Sequence, residues 1–254
     1  MEVTAPLASG PEGVRRLARG DADFCVTGAY YFLAAGPVAA RFVLTLAQRS
    51  PMAAMVRADS DLRAPADLAG RRVAVGKLPW IVAEYEAALD LLGVGPPERV
   101  AVDPTATHRA LGRGEIDVSP AWADALHVVG RRGDVDVRAI PVGPEVYTTG
   151  VVAADHVPDD VVGRMHAAVV AALEDQRRDP ARGLDELARR YPDIDPGDAL
   201  DGWRLLEPYA FAPPGPATMD PERWRRTVEL AVATHGLPPR PPGAVFRLTP
   251  AVVF

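Results

Sequence analysis

Apolar and polar positions along the chain follow two periods, and the order of those periods repeats. Residues 10–18 place Val14 and Leu17 on one face of a helix that Pro11 can open, and Gly20 stands where that helix would end in a left-handed turn. Residues 22–26 then read as a buried strand, and "AYYFLAA" after Thr27-Gly28 as another helix. The same order returns later, with a strand over 99–102, the loop "DPTAT" and a helix over 107–111. Gly114 stops that helix, 116–119 is a strand, and "PAWADALHVVG" is a helix. Even the wording is shared: "LARGDADF" starts at residue 17 and "LGRGEIDV" at residue 111. That spacing is too long for a solenoid repeat. Strand–helix–strand units of this kind favour parallel sheets covered by helices, so the duplication predicts two similar α/β lobes.

The intervening and flanking stretches fill in the rest. Residues 2–7 read as a short strand, and 41–47 and 51–57 as two more. Pro65 starts a short helix through Leu68 that Gly70 ends, and 72–75 is a strand. Ile81, Tyr85, Ala88, Leu89 and Leu92 then form a helical apolar stripe. Residues 137–142 and 148–154 are strands, the second returning the chain to the first lobe. Beyond them the chain is helical, with Val161, Met165, Ala168, Val169, Ala172 and Leu173 along one face. Asp179-Pro180 and Asp220-Pro221 each supply an acid as N-cap and a proline at the first helical position. The Pro-rich end from residue 237 reads as an extended arm.

Composition narrows the function classes. A chain of 254 residues, 48% hydrophobic and 24% charged, is long enough for one large domain or two lobes. A net charge of −6 with no Lys/Arg run leaves no footprint for nucleic acid or an anionic membrane. Cys25 is the single cysteine, which excludes an intrachain disulfide, and it reads as a small buried hydrophobe rather than a nucleophile. His108, His127, His156, His166 and His235 lack metal-ligand spacing. No Gly-x-Ser-x-Gly elbow, phosphate loop or dinucleotide fingerprint occurs, so neither metal nor cofactor is implied. No stretch approaches the ~18 apolar residues of a membrane span. The opening residues also lack a basic-then-apolar leader. As written, the chain reads as soluble and cytoplasmic; an export segment ahead of it would make it periplasmic or lipid-anchored.

Four stretches carry a resemblance: "GVRRLARGDADFCVTG", "DSDLRAPADLAGRRVAVG", "HRALGRGEIDVSPAW" and "HVPDDVVGRMHAAVVAALEDQRRDP". They stand in the order found in type II periplasmic binding proteins. Over residues 2–211 the chain resembles the solute receptors for aliphatic sulfonates, taurine, nitrate and thiamine-type pyrimidines. The resemblance implies an α/β, two-lobed fold of the periplasmic-binding-protein type II class, each lobe a mainly parallel sheet covered by helices. Lobe one would be 1–67 and 145–254, with the helical C-terminal region and Pro-rich tail; lobe two would be 68–144. A small ligand would be clamped between them by hinge closure, with a transporter permease as partner, no nucleic acid and no direct membrane insertion. Family members carry a signal or lipoprotein peptide and a further strand–helix unit before the strand matching "EVTAPL"; here Met1 stands where that strand begins.

In open α/β sheets, ligands bind beyond the carboxyl ends of strands, near helix N-termini whose free N–H groups attract anions. That rule selects Ser9, Gly10, Thr27, Gly28, Tyr30, Arg49 and Ser50 in lobe one. In lobe two it selects Lys77, Trp80, Thr105, Thr107, Ser119 and Trp122. The set suits a small anionic or polar ligand with a flat or apolar part. Each choice has a plainer reading beside it. Ser9 and Thr107 also fit helix caps, Tyr30, Trp80 and Trp122 also fit core packing, and Arg49 and Lys77 also fit solvated charges. Asp23 and Asp117, which repeat, read as acids that tie the backbone N–H groups of the helix-stop turns.

Two functions fit these residues. The preferred one is a solute-binding protein of an ABC-type transporter. The alternative is a cytosolic enzyme on the same fold, a lyase or dehydratase, decarboxylase or pyrimidine-synthase-like protein acting on a small carboxylate or aromatic substrate. The leaderless start favours the enzyme; the lack of a legible acid–base pair favours the receptor.

Overall fold

The structure, a computed structural model, describes residues 10–75, 79–103, 105–192 and 194–248. It opens with α1 Gly10–Arg19, β1 Phe24–Gly28, α2 Ala29–Ala34 and β2 Ala40–Thr45. Next come β3 Met52–Arg57, β4 Arg72–Val75, α3 Pro79–Leu91, β5 Glu98–Ala101, α4 Thr107–Gly112, β6 Ser119–Trp122, α5 Leu126–Gly133 and β7 Val137–Pro141. It ends with β8 Thr149–Ala154, α6 Asp159–Arg178, α7 Pro180–Arg190, α8 Pro196–Ala210 and α9 Pro221–His235. Two compact units divide these elements. The first takes Met1–Arg49, Glu145–Asp175 and Ala210–Phe254, and the second Ser50–Pro144 and Gln176–Tyr209.

Local chemistry sets many of the element ends. Gly20, Gly70 and Gly114 stand at φ of 76°, 67° and 69°, a region a Cβ disfavours. The Asp179 side chain accepts the Arg182 N–H, and Asp220 accepts that of Glu222, each acid followed by proline. Other ends shift. The strand expected at 22–26 is β1, two residues later, and Val26 within it is 63% exposed, so that strand is not buried throughout. The strand expected at 116–119 starts three residues later as β6, whose residues pair with Met52–Met55 of β3, while the N–H groups of Asp117 and Val118 both go to the Arg72 carbonyl. Pro120 is tolerated inside β6, opposite Ala54, and the helix expected from 120 begins only at Leu126. The strand expected at 2–7 lies outside the described residues.

In the first unit the sheet order is β1-β8-β2, with β8 antiparallel to both neighbours. β1 and β2 therefore run the same way, as the strands of one β-α-β unit must, and a strand from far along the chain lies between them. In the second unit β3 is central in the order β6-β3-β7 and antiparallel to both. β4 and β5 pair in parallel, and Val73 of β4 bridges Val118 in parallel. Four strands of that unit thus share a direction that β3 alone opposes. This corrects the expectation of mainly parallel pairing. The co-directional strands exist, but β3 and β8, the strands next to the points where the chain changes unit, separate them.

The strand partners also draw the units differently from the sequence reading. β3 lies in the second unit, which starts at Ser50 rather than at 68, because its partners are β6 and β7. α7 and α8 join it as well. Arg131 of α5 pairs with Asp198 of α8, and His127 Nε2 lies 3.9 Å from Asp201 Oδ2. The core of the first unit is an aromatic chain in which Phe32, Phe42, Trp224 and Phe246 follow one another at centroid distances of 5.1, 4.6 and 5.8 Å. Trp224, the fully buried centre, also meets Tyr147 at 5.1 Å. In the second unit the α3 stripe buries Tyr85, Ala88 and Leu89 against Met52, Val56 and Ile140, while Leu92 stays half-exposed. The expected extended arm is docked on β2 at residues 245–247. The Phe42 N–H donates to the Val245 carbonyl at 2.9 Å, the Arg247 N–H donates to the Phe42 carbonyl at 3.0 Å, and Phe246 is buried.

β8 fits between its neighbours only because Gly150 lacks a side chain: a Cβ there would stand 2.3 Å from the Leu44 carbonyl oxygen. Gly20, by contrast, has positive φ but open space around it. We expect Gly150→Ala to cost about 1–3 kcal/mol through overpacking. Gly20→Ala should cost only the left-handed backbone penalty of about 1 kcal/mol. Urea unfolding of the two variants checks the order; equal losses would show that the close approach at β8 is not a constraint.

Candidate functional site

The parallel core of the second unit decides which of its loops gather. β4, β5 and the segment through Val118 run in one direction, with Val75 opposite Ala101 and Val73 opposite Val118. The segments beyond their carboxyl ends therefore collect at one end of that sheet: the start of α3 with Trp80, the Asp103–Thr107 region, and Ser119. Lys77 lies outside the described residues, as does the side chain of Trp80. Asp103 organises its loop by accepting the Thr105 N–H at 2.7 Å and the Thr105 hydroxyl at 2.6 Å. Those two bonds hold the Asp103 carboxyl below the usual carboxylate range. The exposed Thr105 thus has its proton committed and offers an acceptor to anything it meets. Thr107 opens α4 but does not cap it; Ala106 is the N-cap, and no side chain serves there.

Ser119 and Trp122 lie inside β6 rather than on a loop, opposite Met55 and Met52. Ser119 is buried, and Trp122 packs partly against the apolar cluster of Tyr85 and Leu89. The chain entering β3 runs beside the end of β6, where the Ala123 N–H donates to the Pro51 carbonyl at 2.9 Å. Ser50 is buried at that point, and its hydroxyl accepts the Met52 N–H at 3.3 Å.

In the first unit Thr27, Gly28 and Tyr30 follow one another across the β1–α2 junction, and Gly10 opens α1, which packs on both elements. Ser9 lies outside the described residues. Thr27 is buried, and its hydroxyl has no hydrogen-bond partner among the described residues. A Cβ on Gly28 would be in ordinary contact with the Tyr31 ring at 3.4 Å. Tyr30 packs against Tyr31 and, at a centroid distance of 4.3 Å, against His235 at the end of α9. Arg49 is exposed at the end of the first segment of this unit.

The repeated acids have structural partners. Asp117 takes Arg72 as a fork, Nη2 to Oδ1 at 2.7 Å and Nε to Oδ2 at 3.1 Å, and also accepts the Arg72 N–H at 2.9 Å. The same guanidinium donates to the carbonyls of Gly114 and Glu115. The helix-stop turn is thus tied through Arg72 rather than by the acid alone, and that arginine lowers the Asp117 pKa. Asp23 is exposed and lies 3.1 Å from His156 Nε2.

Two carboxyls escaped the sequence reading. Burial pushes the Glu84 carboxyl up to about 7. It sits on α3 four residues after Trp80 and three after Ile81, an acid set within the apolar stripe, which was the available signal. Burial also raises Asp124, just past β6, whose Oδ1 has no partner among the described residues. Among the described residues no group of three or more His, Cys, Asp or Glu could hold a metal ion, and no helix is long and apolar enough to cross a membrane.

Comparison with known proteins accords with this architecture. The periplasmic aliphatic sulphonate binding protein SsuA from Escherichia coli superposes with a TM-score of 0.65 at 17% identity, over 91% of this chain and 75% of that one. The alkanesulfonate-binding protein SsuA from Xanthomonas axonopodis pv. citri, bound to MOPS, gives 0.61 at 20% identity, over 94% and 85%. A cysteine-to-serine variant of the desulfurization enzyme DSZB, in complex with biphenyl-2-sulfinic acid, gives 0.59 at 15% identity, over 93% and 86%. No curated protein matches the sequence. At these identities the likenesses show the fold, that of periplasmic binding proteins, and receptors and an enzyme share it. The family model described as NMT1/THI5 like matches residues 2–182, and on that match this chain belongs to the NMT1/THI5-like family.

Proposed function

We propose that the chain is a solute-binding protein of an ABC-type transporter, periplasmic in location, that closes its two lobes on a small anionic or polar organic molecule. The observation that carries this reading is the co-directional set β4, β5 and 116–118. It brings the first turn of α3, the Asp103–Thr107 loop and Ser119 to one sheet end, the end at which the amino terminus of α3 favours a negative head group. The sulfonate-binding proteins that share the fold make a sulfonate the first head group to try. On the first unit, Thr27 and Gly28 supply the polar contact and Tyr30 a flat one. Because Thr105 presents an acceptor, it suits the organic part of a ligand that carries a donor rather than the anionic head.

A thermal-shift series of short alkanesulfonates, MOPS, nitrate and pyrimidines tests the reading. A true ligand at about 100 times its Kd should stabilise the fold by about 2.7 kcal/mol. No shift from any class would remove the receptor. For the ligand that does shift, we expect Thr27→Val to weaken binding, because it deletes a buried hydroxyl with no partner among the described residues. The unliganded protein should melt at the same temperature or higher, since an unsatisfied buried hydroxyl costs stability. Titration calorimetry paired with melting checks this; a lower melting point with unchanged affinity would make Thr27 structural.

One observation favours the second reading, an enzyme on the same fold: Glu84 is held near neutrality, where a carboxyl can both give and take a proton. Its protonated form is the one that suits the folded state. Its contribution to stability is therefore complete below about pH 4.5 and is lost as pH rises through about 7. The loss is at most about 3 kcal/mol. Glu84→Gln should flatten most of that slope, Asp124 keeping a smaller part of it. Urea unfolding from pH 4.5 to 8 checks this, and an unchanged slope would mean Glu84 is solvated. If the purified protein turns a bound compound over and Glu84→Gln abolishes turnover, the enzyme reading displaces the receptor.

A further inference from the structure

The chain changes unit four times, after Arg49, Pro144, Asp175 and Tyr209. The last two changes fall inside α6 and α8, where any bending is spread along a helix. The first two are short bent stretches outside any helix or strand, and on the first-unit side both end on one side chain. Arg223 of α9 is only 11% exposed. Its Nη1 donates to the Gln48 carbonyl, the last but one residue of the outgoing segment, and lies 3.5 Å from Gln48 Oε1. Its Nη2 pairs at 3.2 Å with Glu145, the first residue of the returning segment. The guanidinium also lies over the Tyr147 ring, 5.5 Å from its centroid.

Each segment is then secured again by neighbours of the same helix. Fully buried Gln48 donates from Nε2 to the Thr218 carbonyl at 3.1 Å and to the Thr45 hydroxyl at 3.2 Å. The Tyr147 N–H donates to the Thr227 hydroxyl at 2.9 Å, and the Asp220 N–H donates to the Tyr147 hydroxyl at 2.7 Å. On the second-unit side the two segments touch directly. The Ser50 N–H donates to the Pro144 carbonyl at 3.1 Å, and a Cβ on Gly143 would stand 2.0 Å from the Ser50 carbonyl oxygen. Nε of Arg223, meanwhile, has no partner among the described residues. The fork reaches both segments, with a longer bond of 3.4 Å from Nη1 to the Pro213 carbonyl beside them, a geometry that a single ammonium cannot reproduce.

We propose that Arg223 is a positioning residue that couples these two bent passages into one hinge, so that bending on ligand binding is confined to Arg49–Ser50 and Pro144–Glu145. The purpose assigned to the coupling rests on the solute-binding reading; its test does not. Amide hydrogen exchange on the full chain reads it. In Arg223→Met, amides of 46–50 and of 145–148 should both exchange about tenfold faster or more, as loss of charge-assisted hydrogen bonds predicts, while β1 and β8 keep their protection. Glu145→Ala should free the returning segment alone, and Arg223→Lys should restore protection to one segment but not both. With a shifting sulfonate added, Arg223→Lys should lower affinity more than it lowers the unliganded melting point. Faster exchange in one segment only, or a uniform rise through β1, β2 and β8, would overturn the coupling. Should Arg223→Met fail to fold, the other two variants carry the same comparison. If no solute shifts the wild type, the receptor reading falls while the exchange pattern still decides the hinge.

Discussion

Each unit is organised around a strand that arrives from elsewhere in the chain and runs against its neighbours. In the first unit that strand is β8, and the rest depends on its fit. β1 and β2 are co-directional and cannot both pair with an antiparallel strand unless that strand lies between them. Lying there, β8 must pass the bulge at Phe42–Leu44, and Gly150 makes the passage possible. At the start of that bulge the Phe42 ring meets Phe32 on one side and Trp224 on the other. The same residue's backbone takes the C-terminal strap. One backbone distance therefore sets the sheet, the aromatic core and the docking of the tail together.

The polar counterpart lies where β2 ends and β8 is about to begin. Thr45, Gln48, Thr218 and Arg223 are joined by hydrogen bonds, an ion pair adds the exposed Glu145 and a ring contact adds Tyr147, and such networks are strong only when nearly complete. This one is nearly complete, the Nε of Arg223 being its open end. A buried, paired arginine is weak evidence for stability, because its desolvation cost offsets the attraction. It is better evidence for specificity of position. Here the position it specifies is that of two segments widely separated in sequence, both held to α9.

Local features were legible in the residues and long-range ones were not. Gly20, Gly70 and Gly114 announce helix stops because positive φ is a property of one residue, and the Asp-Pro pairs announce helix starts because a cap reaches only two or three residues. The co-directional strands were legible through the strand–helix–strand order. Their pairing was not, since nothing in 149–154 or 52–57 says which strands those segments will separate. Of the site, the loops after β4 and β5 could be chosen by rule. Ser119 and Trp122 fall inside β6 because they pair with Met55 and Met52 of β3, a long-range partner. Glu84 was visible as an acid in an apolar stripe, but its proton affinity depends on burial, which periodicity alone does not give.

The two copies of the Arg-Gly-acid phrase show how a repeat can preserve architecture without preserving contacts. In the second copy Asp117 is locked by Arg72, a residue of a neighbouring strand, and helps to fix where β6 begins. In the first copy Asp23 has His156 beside it and stays exposed, while its carbonyl accepts the Ala154 N–H. The shared element is the glycine stop followed by a strand; the acids have diverged to whatever each unit offers. The chemistry just beyond the strands is therefore the part of the two copies that can differ most. One junction offers a hydroxyl at Thr27 with no partner among the described residues; the other offers the Thr105 hydroxyl, already committed to Asp103, and a carboxyl near neutrality at Glu84.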